Sequence, residues 1–306
     1  MSIRVGTDCS GIEAPIQALK QLKIPFRHVF SSEIDKYCIE SIKANYKPGI
    51  IFGDKENVFP EGDITKRHIN DVPNIDLYIC GFPCQPFSSA GKRKGLKDKR
   101  GNVFFSCIDV IESKQPKYFI LENVKGILGN DGGKTWKIIQ EELSQLKKYG
   151  YVIKWKILNT KDYGIPQNRE RLFIVGCKNR DFEWPKKTKM KPLKKYIDNK
   201  DKNKYNTTRK YFSKILNTIP PGSIFIDNNF LKLNKFIDSD KWSPCLNTQN
   251  GLWNVPLGRY ANIKERLELQ GFPASFKQVV SDTQLNKQIG NSMSVNVLKA
   301  IFKEIL

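Results

Sequence analysis

The chain has 306 residues, 39% hydrophobic and 11% aromatic, and carries 52 Lys and Arg against 31 Asp and Glu, a formal +21. That composition excludes a disordered chain, and no apolar run approaches the ~18 residues a membrane span needs. Seven irregularly spaced cysteines and only two histidines, His28 and His68, speak against a disulfide framework and against a zinc site. Lys- and Asn-rich usage can follow from genome base composition, but a field this positive favours a polyanionic partner, nucleic acid first. An anionic membrane surface ranks second, without a basic amphipathic helix to support it. The N-terminal stretch has no apolar core of signal-peptide length, so a soluble, cytoplasmic protein is expected.

Strand-like and helical segments alternate from the start. Residues 3–9 (IRVGTDC) read as a buried strand, 13–22 as a helix, 27–33 (RHVFSSE) as a strand and 36–46 as a helix. Strands follow at 76–80 (DLYIC) and 118–123 (YFILEN), then a helix at 135–150 and a strand at 171–177 (RLFIVGC). The alternation predicts an α/β sheet, mostly parallel, with helices on both faces and ligands at the carboxyl ends of the strands. From about 178 to 258 the chain reads as a separate small lobe, basic and irregular, and residues 178–214 alone hold 14 Lys and Arg against 4 Asp and Glu. Helical pattern returns at 262–270 and 294–306.

The candidate chemistry sits at strand ends. In TDCSGIEAP (7–15), Gly11 lets backbone approach a ligand and the helix start offers N–H groups to an anion. Glu33 follows Gly11 by 22 residues, near the spacing at which a carboxylate grips a ribose; the plain alternative is a turn and a solvated Glu. Asp63 of EGDIT, with Ile64 beside it, suits an adenine amino group or simply a turn. Cys84, in GFPCQPFSSAGKRKG (81–95), follows a strand and precedes the basic residues Lys92, Arg93 and Lys94. That setting favours a thiolate and suits phosphates, so Cys84 reads as a nucleophile or as a packed thiol near a loop. Cys80, inside the apolar strand, reads as core. Two histidines make a Cys-His hydrolase hard to build. Glu122 of LENVKG is the better assistant, with desolvation raising its pKa until it shares a proton with a substrate nitrogen. Arg169 and Arg171 of QNRERLF add charge there or belong to the surface.

SGIEAP, SEID, GDIT, GFPCQPFS, ENVKG, YGIPQNRERLFIVG, LELQGFP and KQIGNSMSVNVL, in that order, resemble the DNA (cytosine-5)-methyltransferases of bacteria, phages and viruses. The resemblance implies a Rossmann-like, doubly wound fold that uses S-adenosylmethionine. It implies a catalytic, cofactor-binding domain over 1–177 and 259–306 and a target-recognition domain over 178–258. By the same resemblance Cys84 is the nucleophile, Pro83 is its conformational lock within the cofactor site, and Glu122 contacts the cytosine ring nitrogen. Arg169 and Arg171 lie near the base and nucleophile. Asp8, Cys9, Ser10, Gly11 and Ile12 surround the methionine end of the cofactor. Glu33 takes the ribose hydroxyls, Ile34 covers the adenine, Asp63 with Ile64 holds its amino group, and Asn291 and Ser292 close the pocket. Gln85, Ser88, Lys92, Arg93 and Lys94 meet DNA. The chain departs from the family pattern in having Cys9 for Phe, Glu13 for Gly, and Cys245-Leu246 for a Thr-Leu pair.

The implied partners are double-stranded DNA and a cognate restriction endonuclease acting on the same site; the enzyme is expected to be a monomer, with no metal and no membrane. Two rival readings are an RNA (tRNA) cytosine-5 methyltransferase, whose branch has PPCQ where this chain has GFPCQ, and a non-catalytic DNA-binding module. The presence of Cys84, Glu122 and Arg169 together weighs against the second.

Overall fold

The computed structural model describes residues 2–56, 58–83, 103–200, 219–227, 239–249 and 251–306. The chain forms two compact units: Met1–Leu158, Glu170–Pro185 and Leu298–Leu306 make the first, Asn159–Arg169 and Lys186–Val297 the second.

The strands of the first unit are β1 (Ile3–Asp8), β2 (Phe26–Ser32), β3 (Ile50–Phe52), β4 (Leu77–Gly81), β5 (Tyr118–Val124), β6 (Tyr151–Asn159) and β7 (Glu170–Lys178). They form one seven-stranded sheet in the order β3-β2-β1-β4-β5-β7-β6. Pairing is parallel from β3 through β5, and β7 runs antiparallel to β5. The central strands β4 and β5 are near-continuous apolar runs because the sheet is covered on both faces. Helices α1 (Ala14–Leu22) and α2 (Lys36–Asn45) connect β1, β2 and β3, and α3 (Val103–Lys114) leads from β4 to β5. The strand order reverses between β1 and β4, so right-handed crossovers put α1 and α2 on one face and α3 on the other. This is the mixed α/β, mostly parallel architecture that the alternation predicts. Helix α4 (Lys134–Gln145) completes the early elements. The core is aromatic: Phe30, Tyr78, Phe104 and Phe119 are fully buried, and Phe119 meets Tyr151 edge-on at 5.2 Å.

In the second unit β8 (Phe225–Asp227), β9 (Leu252–Asn254) and β10 (Arg259–Tyr260) form an antiparallel sheet. Helix α5 (Ile263–Gln270) starts on a capping box between Asn262 and Glu265. The Glu265 carboxylate also takes the buried Arg259 guanidinium at 2.8 Å and the Asn254 amide at 2.8 Å. Helix α6 (Asp282–Asn291) follows, and α7 (Val295–Ile305) ends the chain.

Candidate active site

Within the first unit, the carboxyl ends of β1, β2, β4 and β5 carry the residues singled out by the sequence. After β1 the chain turns through Cys9, Gly11 and Glu13, all with left-handed φ of 48°, 55° and 59°. The turn places the Gly11 N–H on the Glu33 Oε2 at 2.8 Å, so the 22-residue spacing does bring these two together. Glu33 Oε1 accepts the N–H groups of Ile34 and Asp35 at 2.9 and 3.0 Å. Burial pushes the Glu33 pKa up, and these N–H bonds only partly offset it. Ile34 stands 76% exposed beside that carboxylate, while Ile12 and Ile64 are buried.

Asp63 is oriented by its own turn. Its Oδ1 accepts the Thr65 N–H and hydroxyl at 3.0 and 2.7 Å, and Lys66 lies 3.3 Å from Oδ2. Burial opposes ionisation, but Thr65 and Lys66 outweigh it and hold the Asp63 pKa below its ordinary value. The segment approaches the Glu33 strand end through glycine. A methyl group at Gly53 or at Gly62 would overlap the Glu33 carbonyl oxygen.

The Asp8 carboxylate points into the unit. Arg67 grips it bidentately at 2.9 and 3.0 Å, and the Tyr78 hydroxyl donates to it at 2.7 Å. The Arg67 guanidinium lies 4.5 Å from the Phe52 ring centre and 5.4 Å from that of Phe30. Burial disfavours this cation, but Asp8 outweighs burial and raises the Arg67 pKa.

Strand β4 delivers Gly81, the buried Phe82 and the exposed Pro83. The Asn123 amide donates to the Phe82 carbonyl at 2.8 Å, pinning the chain two residues before position 84. Cys84, Gln85, Ser88, Lys92, Arg93 and Lys94 lie outside the described residues. Glu122 pairs with Gly81 across β4 and β5. The antiparallel register of β5 and β7 sets Arg171 opposite Val124, diagonal to Glu122, and Arg171 Nε lies 3.3 Å from Glu122 Oε1. Cys80 is fully buried, and burial among the Cys107 and Cys9 thiols pushes its pKa well up, as a core thiol requires.

In the second unit Arg169 is 1% exposed, and carbonyl oxygens occupy its guanidinium. It donates to Leu246 O at 2.8 Å, Gly290 O at 3.1 Å and Ser292 O at 2.7 Å, with Cys245 Sγ at 3.4 Å. Gln270 also donates to Ser292 O, so the turn carrying the exposed Asn291 and the buried Ser292 is held from two sides. Sequence reasoning missed Arg67 and Asn123. Asn123 stood inside the quoted LENVKG, whereas nothing local marks Arg67 as the partner of Asp8.

Among the described residues no cluster of His, Cys, Asp and Glu could hold a metal ion, and no helix is long and apolar enough to cross a membrane. Residues 8–306 match the family model of C-5 cytosine-specific DNA methylases. The chain is 38% identical over 286 residues to the type II methyltransferase M.HaeII of Haemophilus aegyptius, covering 90% of this chain and 84% of that protein. It is 37% identical over 288 residues to M.NgoBI of Neisseria gonorrhoeae, covering 90% and 85%. Among solved structures, the S. pombe Dnmt2 methyltransferase is similar with a TM-score of 0.72 at 21% identity, covering 98% of this chain and 97% of that one. The Entamoeba histolytica methyltransferase EhMeth is similar at 0.69 and 19%, covering 99% and 97%.

Proposed function

Because the chain belongs to the C-5 cytosine-specific DNA methylase family, we propose that its methyl transfer to DNA cytosine uses S-adenosylmethionine and a transient covalent bond from Cys84. The observation that carries the cofactor assignment is the Glu33 carboxylate. It is held at the β2 end by three backbone N–H groups, with the exposed Ile34 face beside it and Asp63 oriented on the neighbouring turn. Those groups fit a nucleoside: a carboxylate for ribose hydroxyls, an apolar face for the ring and a second carboxylate for the amino group. S-adenosylmethionine supplies an electrophilic methyl group. In this reading Cys9, Ser10, Gly11, Ile12, Ile64 and Pro83, all of the first unit, serve the rest of the cofactor site, and Asp8 supports the β1 end. Gly62→Ala is expected to weaken cofactor binding about tenfold by equilibrium dialysis, since its methyl forces the Asp63 segment off the Glu33 strand end.

Carbon 5 of cytosine is a poor nucleophile, and the chain's own residues must make it electron-rich. The Cys84 thiolate adds to carbon 6, and the electron pair moves toward carbon 5 and nitrogen 3. Glu122 shares a proton with nitrogen 3, and Arg171 holds the Glu122 carboxyl in place. After alkylation the carbon 5 proton leaves to a base. The C–S pair then returns to sulfur and the ring regains aromaticity. Arg169 fixes the Leu246 and Ser292 backbone. The cytosine must leave the stack before any of this, at a cost of a few kcal/mol. Phosphate contacts from Gln85, Ser88, Lys92, Arg93 and Lys94 and from residues 178–258, the proposed target-recognition domain, offset that cost. The enzyme acts as a monomer in the cytoplasm, alongside an endonuclease for the same site. DNA bearing 5-fluorocytosine tests the covalent step, because fluorine cannot leave carbon 5 as a proton does. A complex that survives denaturing electrophoresis is expected with the cofactor present, and none on a proven target site removes the pathway.

A further inference from the structure

Glu13 does no chemistry in this scheme, yet the structure holds it at conformational cost. It is fully buried, adopts a left-handed φ of 59°, and precedes α1 without capping it. Left-handed backbone at a non-glycine residue and a buried carboxylate are each unfavourable unless the surroundings compensate. The surroundings here are polar. Glu13 Oε1 accepts the Thr7 hydroxyl at 2.6 Å and the Ser31 hydroxyl at 2.5 Å, and His28 Nε2 lies 3.4 Å away. Thr7 Oγ1 meets Ser10 Oγ at 2.8 Å, and Ser10 Oγ accepts the Ser32 N–H at 2.9 Å. Tyr46 faces the same carboxylate, and burial, then the charge of Glu13, push its hydroxyl pKa well up.

These bonds join two strand ends. Thr7 and Ser10 flank the turn that presents Gly11, and Ser31 and Ser32 end the strand that presents Glu33. The Gly11 N–H to Glu33 Oε2 bond, 2.8 Å long, spans the same gap on the ligand side. We infer that Glu13 is a positioning residue for the cofactor. Through Thr7, Ser10 and Ser31 it sets the separation of the Gly11 turn and the Glu33 carboxylate, and so the affinity for the ribose. A lone glycine at position 13 would relieve the backbone and leave the Thr7 and Ser31 hydroxyls without their shared acceptor. The inference rests on the S-adenosylmethionine reading of this pocket.

Equilibrium dialysis with labelled S-adenosylmethionine on the full chain tests it, beside DNA affinity and the thermal midpoint. Thr7→Val and Glu13→Ala are expected to weaken cofactor binding about tenfold, the order for lost hydroxyl bonds to a buried acceptor. Cofactor KM should rise with it, while kcat at saturation stays within about twofold. Glu13→Gln keeps an oxygen for both hydroxyls and is expected within about threefold of the parent protein. Should Glu13→Ala fail to fold, Ser31→Ala carries the test, removing one donor with Glu13 in place. Unchanged affinity in these variants overturns the inference. So does a joint fall in cofactor affinity, DNA affinity and thermal midpoint that Glu13→Gln does not relieve, since that pattern is plain destabilisation. Glu33→Ala separates the two levels. Intact cofactor binding there removes the pocket assignment itself. Loss there, with unchanged affinity in Thr7→Val and Glu13→Ala, removes Glu13 alone.

Discussion

Cys84→Ala is expected to lower methyl incorporation into DNA by roughly 10⁴- to 10⁶-fold, the scale on which removing a covalent nucleophile acts. DNA affinity should stay within about threefold, because the phosphate contacts that dominate it are untouched. The argument begins in the sheet. β4 is an apolar strand buried on both faces, and it ends at Gly81, beside Glu122 on β5. Asn123 then fixes the Phe82 carbonyl at 2.8 Å, and Phe82 packs on Phe104 with ring centres 5.4 Å apart. The chain therefore leaves the sheet on a set path into Pro83, and the Glu122 carboxyl beside Gly81 is held by Arg171 at 3.3 Å. Alanine there cannot bond carbon 6, so carbon 5 stays electron-poor and the transfer stalls. The variant should also lose the denaturation-resistant complex with 5-fluorocytosine DNA. Methyl incorporation at the parent rate would end the nucleophile assignment.

Much of this site was legible because its parts are local. Gly11 and Glu33 sit just past the ends of consecutive parallel strands, and the strand pattern of FRHVFSS and IRVGTD carries both to the carboxyl end of the sheet. Glu122 likewise follows the apolar run Tyr118–Leu121 near the carboxyl end of β5. The elements that escaped notice have weaker local signals. β3 is three residues long. β6 alternates Lys with Trp and Ile as an edge strand would, with Trp155 44% exposed, but its charge disguises it beside the basic lobe. α3 opens on Val103, Phe104 and Phe105, residues that favour strands, and is helical because Phe104, Cys107 and Ile111 pack together into the core. The pairings that hold the site were not legible at all. Asp8 and Arg67 are 59 residues apart, and Glu13 and Ser31 are 18 apart. No periodicity encodes such contacts; only the closed fold brings them together.

Arg67→Ala is expected to destabilise the protein by ~3–5 kcal/mol, because it strands the Asp8 carboxylate in the core. Both side chains are buried, at 3% and 0% exposure, so solvent does not screen the loss. The cation also fills the space beside Phe30 of β2 and Phe52 of β3, and its removal leaves a gap there. Urea unfolding measures this as a lower midpoint with an unchanged slope. Asp8→Asn should cost less, since the amide oxygen still accepts from Arg67 and Tyr78. The double variant Asp8→Leu with Arg67→Met should be milder than Arg67→Ala, because it removes both charges and keeps the volume. A double variant as unstable as Arg67→Ala would mean that the hydrogen-bonded pair itself, and not the stranded Asp8 charge, accounts for the loss. The pair also reaches the pocket. The backbone N–H groups of Lys66 and Arg67 donate to the Asp63 carbonyl at 2.9 and 3.1 Å, so Arg67 ties the Asp63 turn to the end of β1. Cofactor affinity should therefore fall in Arg67→Ala even at temperatures where the chain stays folded. Full affinity under those conditions would confine the ion pair to stability.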